Sequence, residues 1–87
     1  MSAGRALAMQ RTVVTPADRE RFLERARALR DHFTGCQCRY WVFEEMELPG
    51  AFIAFAEASD PAKLADALAG ATELIVDPTR IYREVPL

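Results

Sequence analysis

The run Ala51-Phe52-Ile53-Ala54-Phe55-Ala56-Glu57-Ala58 carries one charge in eight residues and constrains the fold more than any other stretch. Bounded by Pro49-Gly50 and by Asp60-Pro61, it reads as a strand between turns. Strand side chains alternate between faces, so Phe52, Ala54, Ala56 and Ala58 point one way and Ile53 and Phe55 the other. A sheet with one wet face would alternate apolar and polar residues here; this strand does not, so both faces are expected to be covered. At 87 residues the chain is a single domain, 1–87, and its two helices can cover one face only. The other face needs a partner, and an obligate homodimer through the sheet face is the expectation. The 51% hydrophobic content points the same way, because small domains bury a lower share of their surface than large ones.

The remaining elements follow from local chemistry. Ala6 to Val14 reads as a first strand. Thr15-Pro16-Ala17-Asp18 offers a capping hydroxyl, a proline in the first turn and an acid at the positive helix end. Phe22, Ala26, Leu29 and Phe33 then form one apolar stripe, predicting a helix from Pro16 to Phe33 with Gly35 as its left-handed stop. Cys36 to Phe43 reads as strand two, turning back through Glu47-Leu48-Pro49-Gly50 into Ala51–Ala58. Asp60-Pro61 repeats the cap and proline, predicting a second helix over Pro61–Ala69. Glu73 to Val76 is a short strand or loop before Asp77-Pro78, and Ile81–Val85 is the last strand. This is an α+β, ferredoxin-like βαββαβ order with an antiparallel sheet, in which strands one and three lie side by side. A swapped C-terminal strand is the alternative.

Charge narrows the function classes. Eleven basic and thirteen acidic residues give 11 − 13 = −2, so there is no basic field for nucleic acid. The cluster Arg19, Arg21, Arg25, Arg27 and Arg30 is interleaved with Asp18, Glu20, Glu24 and Asp31, as on a solvated helix face. No membrane span is expected, and two cysteines without a leader pattern suggest a cytoplasmic protein whose mature chain starts at Met1.

The element order, with Gly35-Cys36 opening strand two and Phe55-Ala56-Glu57-Ala58-Ser59-Asp60 leading into helix two, resembles the dimeric α+β barrel superfamily. Within it the antibiotic biosynthesis monooxygenase family is the most similar by topology, over roughly Ala6 to Val85. The resemblance implies a dimeric α+β barrel, an apolar cavity for an aromatic substrate, and monooxygenase-like chemistry without metal or flavin; no cofactor is expected.

Four residues make the candidate ligand site. Arg39 and Glu57 interrupt otherwise apolar strands, where a charge needs a partner, either an ion pair or a polar ligand. Trp41 and Tyr82 supply aromatic surface beside them, and Arg83 adjoins. The ligand, small and apolar or aromatic, is expected between sheet and helices. The alternative is a non-catalytic dimer in which the same residues only pack. His32, Cys36 and Cys38 form a His-x3-Cys-x-Cys run, short of the four ligands of structural zinc, so the cysteines read as small buried hydrophobes and no metal is expected. Glu44, Glu45 and Glu47 read as a solvated turn, and no phosphate loop, nucleophile elbow or zinc-protease helix occurs.

Overall fold

A computed structural model describes residues 4–71 and 80–87. Strand β1 (Ala6–Val13) leads through a turn of 3-10 helix (Pro16–Asp18) into helix α1 (Arg19–Gly35). Strands β2 (Arg39–Glu44) and β3 (Ala51–Ala58) form a hairpin, followed by helix α2 (Pro61–Gly70) and the short β4 (Tyr82–Arg83). The sheet order is β2-β3-β1-β4, antiparallel throughout, so strands one and three are neighbours as expected. The expected element over Glu73–Val76, and Asp77-Pro78 after it, lie outside the described residues. No helix among the described residues is long and apolar enough to cross a membrane.

The helices meet the sheet over alanine. Ala6, Ala8, Ala56 and Ala58 are buried on one sheet face, and their small side chains let Phe33 of α1 and Leu64 of α2 sink to complete burial. Tyr40 stacks on Phe33 with ring centroids 5.3 Å apart, and Phe52 stacks on Phe22 at 4.4 Å. On β3, Phe52, Ala56 and Ala58 are buried on the helix side and Ala54 is half-buried there, whereas on the other face Ile53 and Phe55 are half-buried and Ala51, at the strand start, is buried.

The helix expected from Pro16 opens with the 3-10 turn and becomes α-helical at Arg19, and three further departures have a local reason. Gly35 is still helical, and the left-handed residue is Gln37, with φ 61°. Cys38 N–H reaches back 2.8 Å to Phe33 O and Gln37 N–H 3.0 Å to Thr34 O, the two bonds of a Schellman end. Cys36–Cys38 thus close the helix, and β2 starts at Arg39 instead of Cys36. The last strand shrinks from Ile81–Val85 to two residues because it pairs at the very start of β1, opposite Ala6 and Leu7, and runs past the sheet end after Glu84 N–H bonds Arg5 O.

Gln37 is exposed, so the strain at that position is relieved by losing its Cβ. Gln37→Gly should stabilise the fold by about 1 kcal/mol, since a left-handed conformation costs an ordinary residue roughly that much. A raised urea midpoint checks this; an unchanged or lowered one would count against strain at residue 37.

Glycine is required at position 50. Its φ is +94°, and an added Cβ would stand 2.5 Å from the carbonyl oxygen of Val14, the residue whose N–H donates to Gly50 O at 2.8 Å. The hairpin end is therefore fixed to the end of β1.

Candidate functional site

The face of the sheet turned away from the helices is built in cross-strand rows. Tyr82, Leu7, Glu57 and Arg39 form one row across all four strands. Met9, Phe55 and Trp41 form the next, and Arg11, Ile53 and Phe43 the third. Phe55 stands at the centre, with Phe43 meeting it edge-on at 5.8 Å. Although apolar, the face is open: Met9 is 42% exposed, Trp41 38% and Phe43 55%. All four sequence-predicted site residues, Arg39, Trp41, Glu57 and Tyr82, share it.

That placement corrects the expected location of the ligand. The space between sheet and helices is occupied by the Phe33, Leu64 and Leu68 core, with Tyr40 packed against it. A shallow groove of about 190 Å³ between α1 and β2 is lined by Leu23, Ala26, Arg27, Arg30, Tyr40 and Val42, none of them a candidate residue. Strand alternation decides the matter: with Tyr40 stacked on Phe33, its neighbours Arg39 and Trp41 must project from the opposite face.

Glu57 organises the polar end of the open face. Its side chain is 15% exposed and lies 3.3 Å from Arg5 Nε, while Arg39 Nη1 stands at 3.9 Å, beyond hydrogen-bond length. Arg39 is thus not trapped in the sheet; its side chain is 75% exposed. Arg5 also bonds Glu84 at 2.9 Å. No pattern in the sequence singled out Arg5, which precedes β1 and reaches Glu57 only through the β1–β3 register. Two clefts share the Arg5–Glu57 pair. One, of about 240 Å³, includes Leu7, Tyr82 and Arg83. The other, of about 340 Å³, includes Arg39, Gln37, Ser59 and Lys63.

The His32–Cys36–Cys38 corner has a structural occupation. His32 Nε2 donates to Ala67 O at 2.8 Å, satisfying a carbonyl in the last turn of α2, and the same nitrogen is 3.9 Å from Cys36 Sγ. Burial pushes the Cys38 thiol up from its ordinary value, with Cys36 adding to the effect, so the nucleophilic thiolate is disfavoured. Among the described residues no group of three His, Cys, Asp or Glu side chains could hold a metal ion.

Glu44 is not part of a solvated turn. Arg19 binds both its oxygens, at 2.7 and 2.9 Å, and Gly50 N–H donates to it at 2.9 Å. The carboxylate ties the start of α1 to the hairpin, and Arg19 also lies over the Phe52 ring at 5.3 Å. The Arg19 hydrogen bonds, followed by that from Gly50, hold the Glu44 carboxyl down at about 2, against an ordinary 4.5. A carboxyl whose value is depressed by folding contributes stability above its unfolded value and loses it as pH falls through the folded one. The wild-type urea midpoint should therefore carry a Glu44 component that disappears between pH 4.5 and about 2. Glu44→Gln should lower the midpoint at neutral pH and flatten its decline through that window; parallel profiles for the two proteins would contradict the assignment.

No family model matches the chain, and no curated protein matches it. Among solved structures it is similar to the crystal structure of a conserved protein from Methanosarcina mazei Go1, at a TM-score of 0.72 over 95% of each chain. The two sequences are 18% identical, and the likeness is one of fold: a small α+β unit with a four-stranded antiparallel sheet and two helices.

Proposed function

We propose that the protein is a homodimeric small-molecule binding protein in which two copies close over the open sheet face and hold an apolar or aromatic ligand against it. The observation that carries this reading is the exposed apolar centre around Phe55, formed by Met9, Trp41, Phe43 and Ile53. A contiguous patch of that kind marks an interaction surface. A second copy suits it because an isologous interface must be complementary to itself, and each end of the face carries both signs of charge. Arg11 and Glu45 pair at one end at 3.4 Å, and Arg5, Arg39, Glu57 and Glu84 stand at the other. Neither end repels its symmetry mate in bulk.

Sedimentation velocity tests the assembly: the protein should run as a dimer at about 10 micromolar, where a standard interface of micromolar or tighter affinity is largely formed. A monomer at ten times that concentration would overturn the reading.

A further inference from the structure

We infer that the ligand is an aromatic acid, its ring on Trp41 and Phe55 and its carboxylate in the cleft beside Arg39. The inference deepens the proposed binding function and rests on it. Three cations, Arg5, Arg39 and Lys63, line that cleft against one lining acid, Glu57. Their commitments differ. Arg5 is spent on Glu57 and Glu84, at 3.3 and 2.9 Å. Lys63 donates to the neutral Gln37 amide at 3.3 Å, which leaves its charge uncompensated by that contact. Arg39 approaches Glu57 only to 3.9 Å.

Arg39 can therefore turn to a ligand without orphaning Glu57, whose carboxylate stays paired with Arg5. Its planar fork suits a carboxylate, which it can bind through two parallel hydrogen bonds. The apolar half of the ligand has its surface at the right distance. Arg39 and Trp41 lie two residues apart on one face of β2, about 7 Å along the strand, close to the length of a two-ring aromatic acid from its carboxylate to its far ring edge. Across the strands from Trp41 lies Phe55, so a ring placed there meets aromatic surface from two strands. Ser59 adds a hydroxyl at the cleft wall.

The test uses two probes of one shape, naphthalene-2-carboxylate and its neutral carboxamide, titrated into the full chain at low ionic strength. Trp41 is the single tryptophan, so its indole N–H gives one resonance that reports on the site. The carboxylate should bind at least about tenfold more tightly than the carboxamide, the usual advantage of a charge-assisted contact. Arg39→Gln should erase that preference by weakening the carboxylate alone, and Arg39→Lys should retain part of it. Equal affinity of the two probes for a wild-type dimer would overturn the acid while leaving the apolar-ligand reading standing. Loss of both probes alike in Arg39→Gln would also overturn it, since the residue would then act only through structure. Failure of both probes to shift the Trp41 resonance would overturn both readings.

Discussion

Truncating Phe33 to alanine should lower the stability of the protein by about 3–5 kcal/mol. The ring is fully buried, sits on the alanine floor of the sheet, and stacks on Tyr40 at 5.3 Å with the planes 7° apart. Phe→Ala changes in such sites cost about 3–5 kcal/mol, from lost transfer energy and from the cavity that remains. The alanines below it cannot refill that space, because a methyl group has no rotamer to move into it. A domain of this size has a total stability of only about 4–13 kcal/mol, so the loss consumes much of what is available. Chemical denaturation followed by circular dichroism checks this, with Leu64→Ala, buried to the same degree on α2, as the second measurement. A shift under about 1 kcal/mol at both positions would mean that the helices do not rest on the sheet as described.

The second large effect belongs to the opposite face. Phe55→Glu should separate the proposed dimer while leaving each protomer folded. Residue 55 is the middle of the Met9–Phe55–Trp41 row, so a two-fold face-to-face contact buries a carboxylate from each copy near the other. Like charges that lose their water this way cost several kcal/mol, and the dissociation constant should rise by at least about a hundredfold. In a lone protomer the same side chain reaches water from a half-buried position, so the thermal midpoint of the monomeric form should change little. Because Phe43 contacts Phe55 edge-on, Met9→Glu provides an independent variant at a 42% exposed position with less influence on the sheet itself. If both variants sediment as the wild type does, the open face is not where copies meet.

These two experiments separate what was legible in the sequence from what was not. The faces of β3 could be read from alternation alone, because a strand has no other periodicity, and the Asp60 cap was equally plain: its carboxylate accepts from Lys63 N–H at 2.8 Å. The Thr15 opening was read correctly as a start, yet its hydroxyl bonds Asp18 at 3.1 Å and a turn of 3-10 helix precedes α1. Gly35 misled because glycine is the favoured left-handed residue, whereas here the reach from Cys38 N–H to Phe33 O places that conformation at Gln37.

For the candidate site, the residue types were legible and their arrangement was not. Arg39, Trp41, Glu57 and Tyr82 stood out as charges and aromatics in strands, but which face they share depends on Tyr40 docking against Phe33, a contact between elements. Arg5 and Glu44 escaped for the same reason. Their partners lie 52 and 25 residues away, 57 − 5 and 44 − 19, and are fixed by register and by the packing of α1 against the hairpin.

The strand order also has a consequence for how the chain reaches this state. β1 leaves the ribosome before both of its partner strands yet occupies an interior position of the sheet, between β3 and β4. Its backbone partners begin at Ala51 on one side and at Tyr82 on the other, so nothing synthesised before the hairpin can complete its ladder. Until then an apolar segment containing Leu7, Met9, Val13 and Val14 waits unpaired. Pairing across so long a separation in sequence is slow relative to local helix or hairpin formation. The nascent chain is therefore most exposed to misassociation while α1 and β2 are already made and β3 is not, and Arg11 on the waiting strand, with Arg5 just before it, supplies the charge that opposes it.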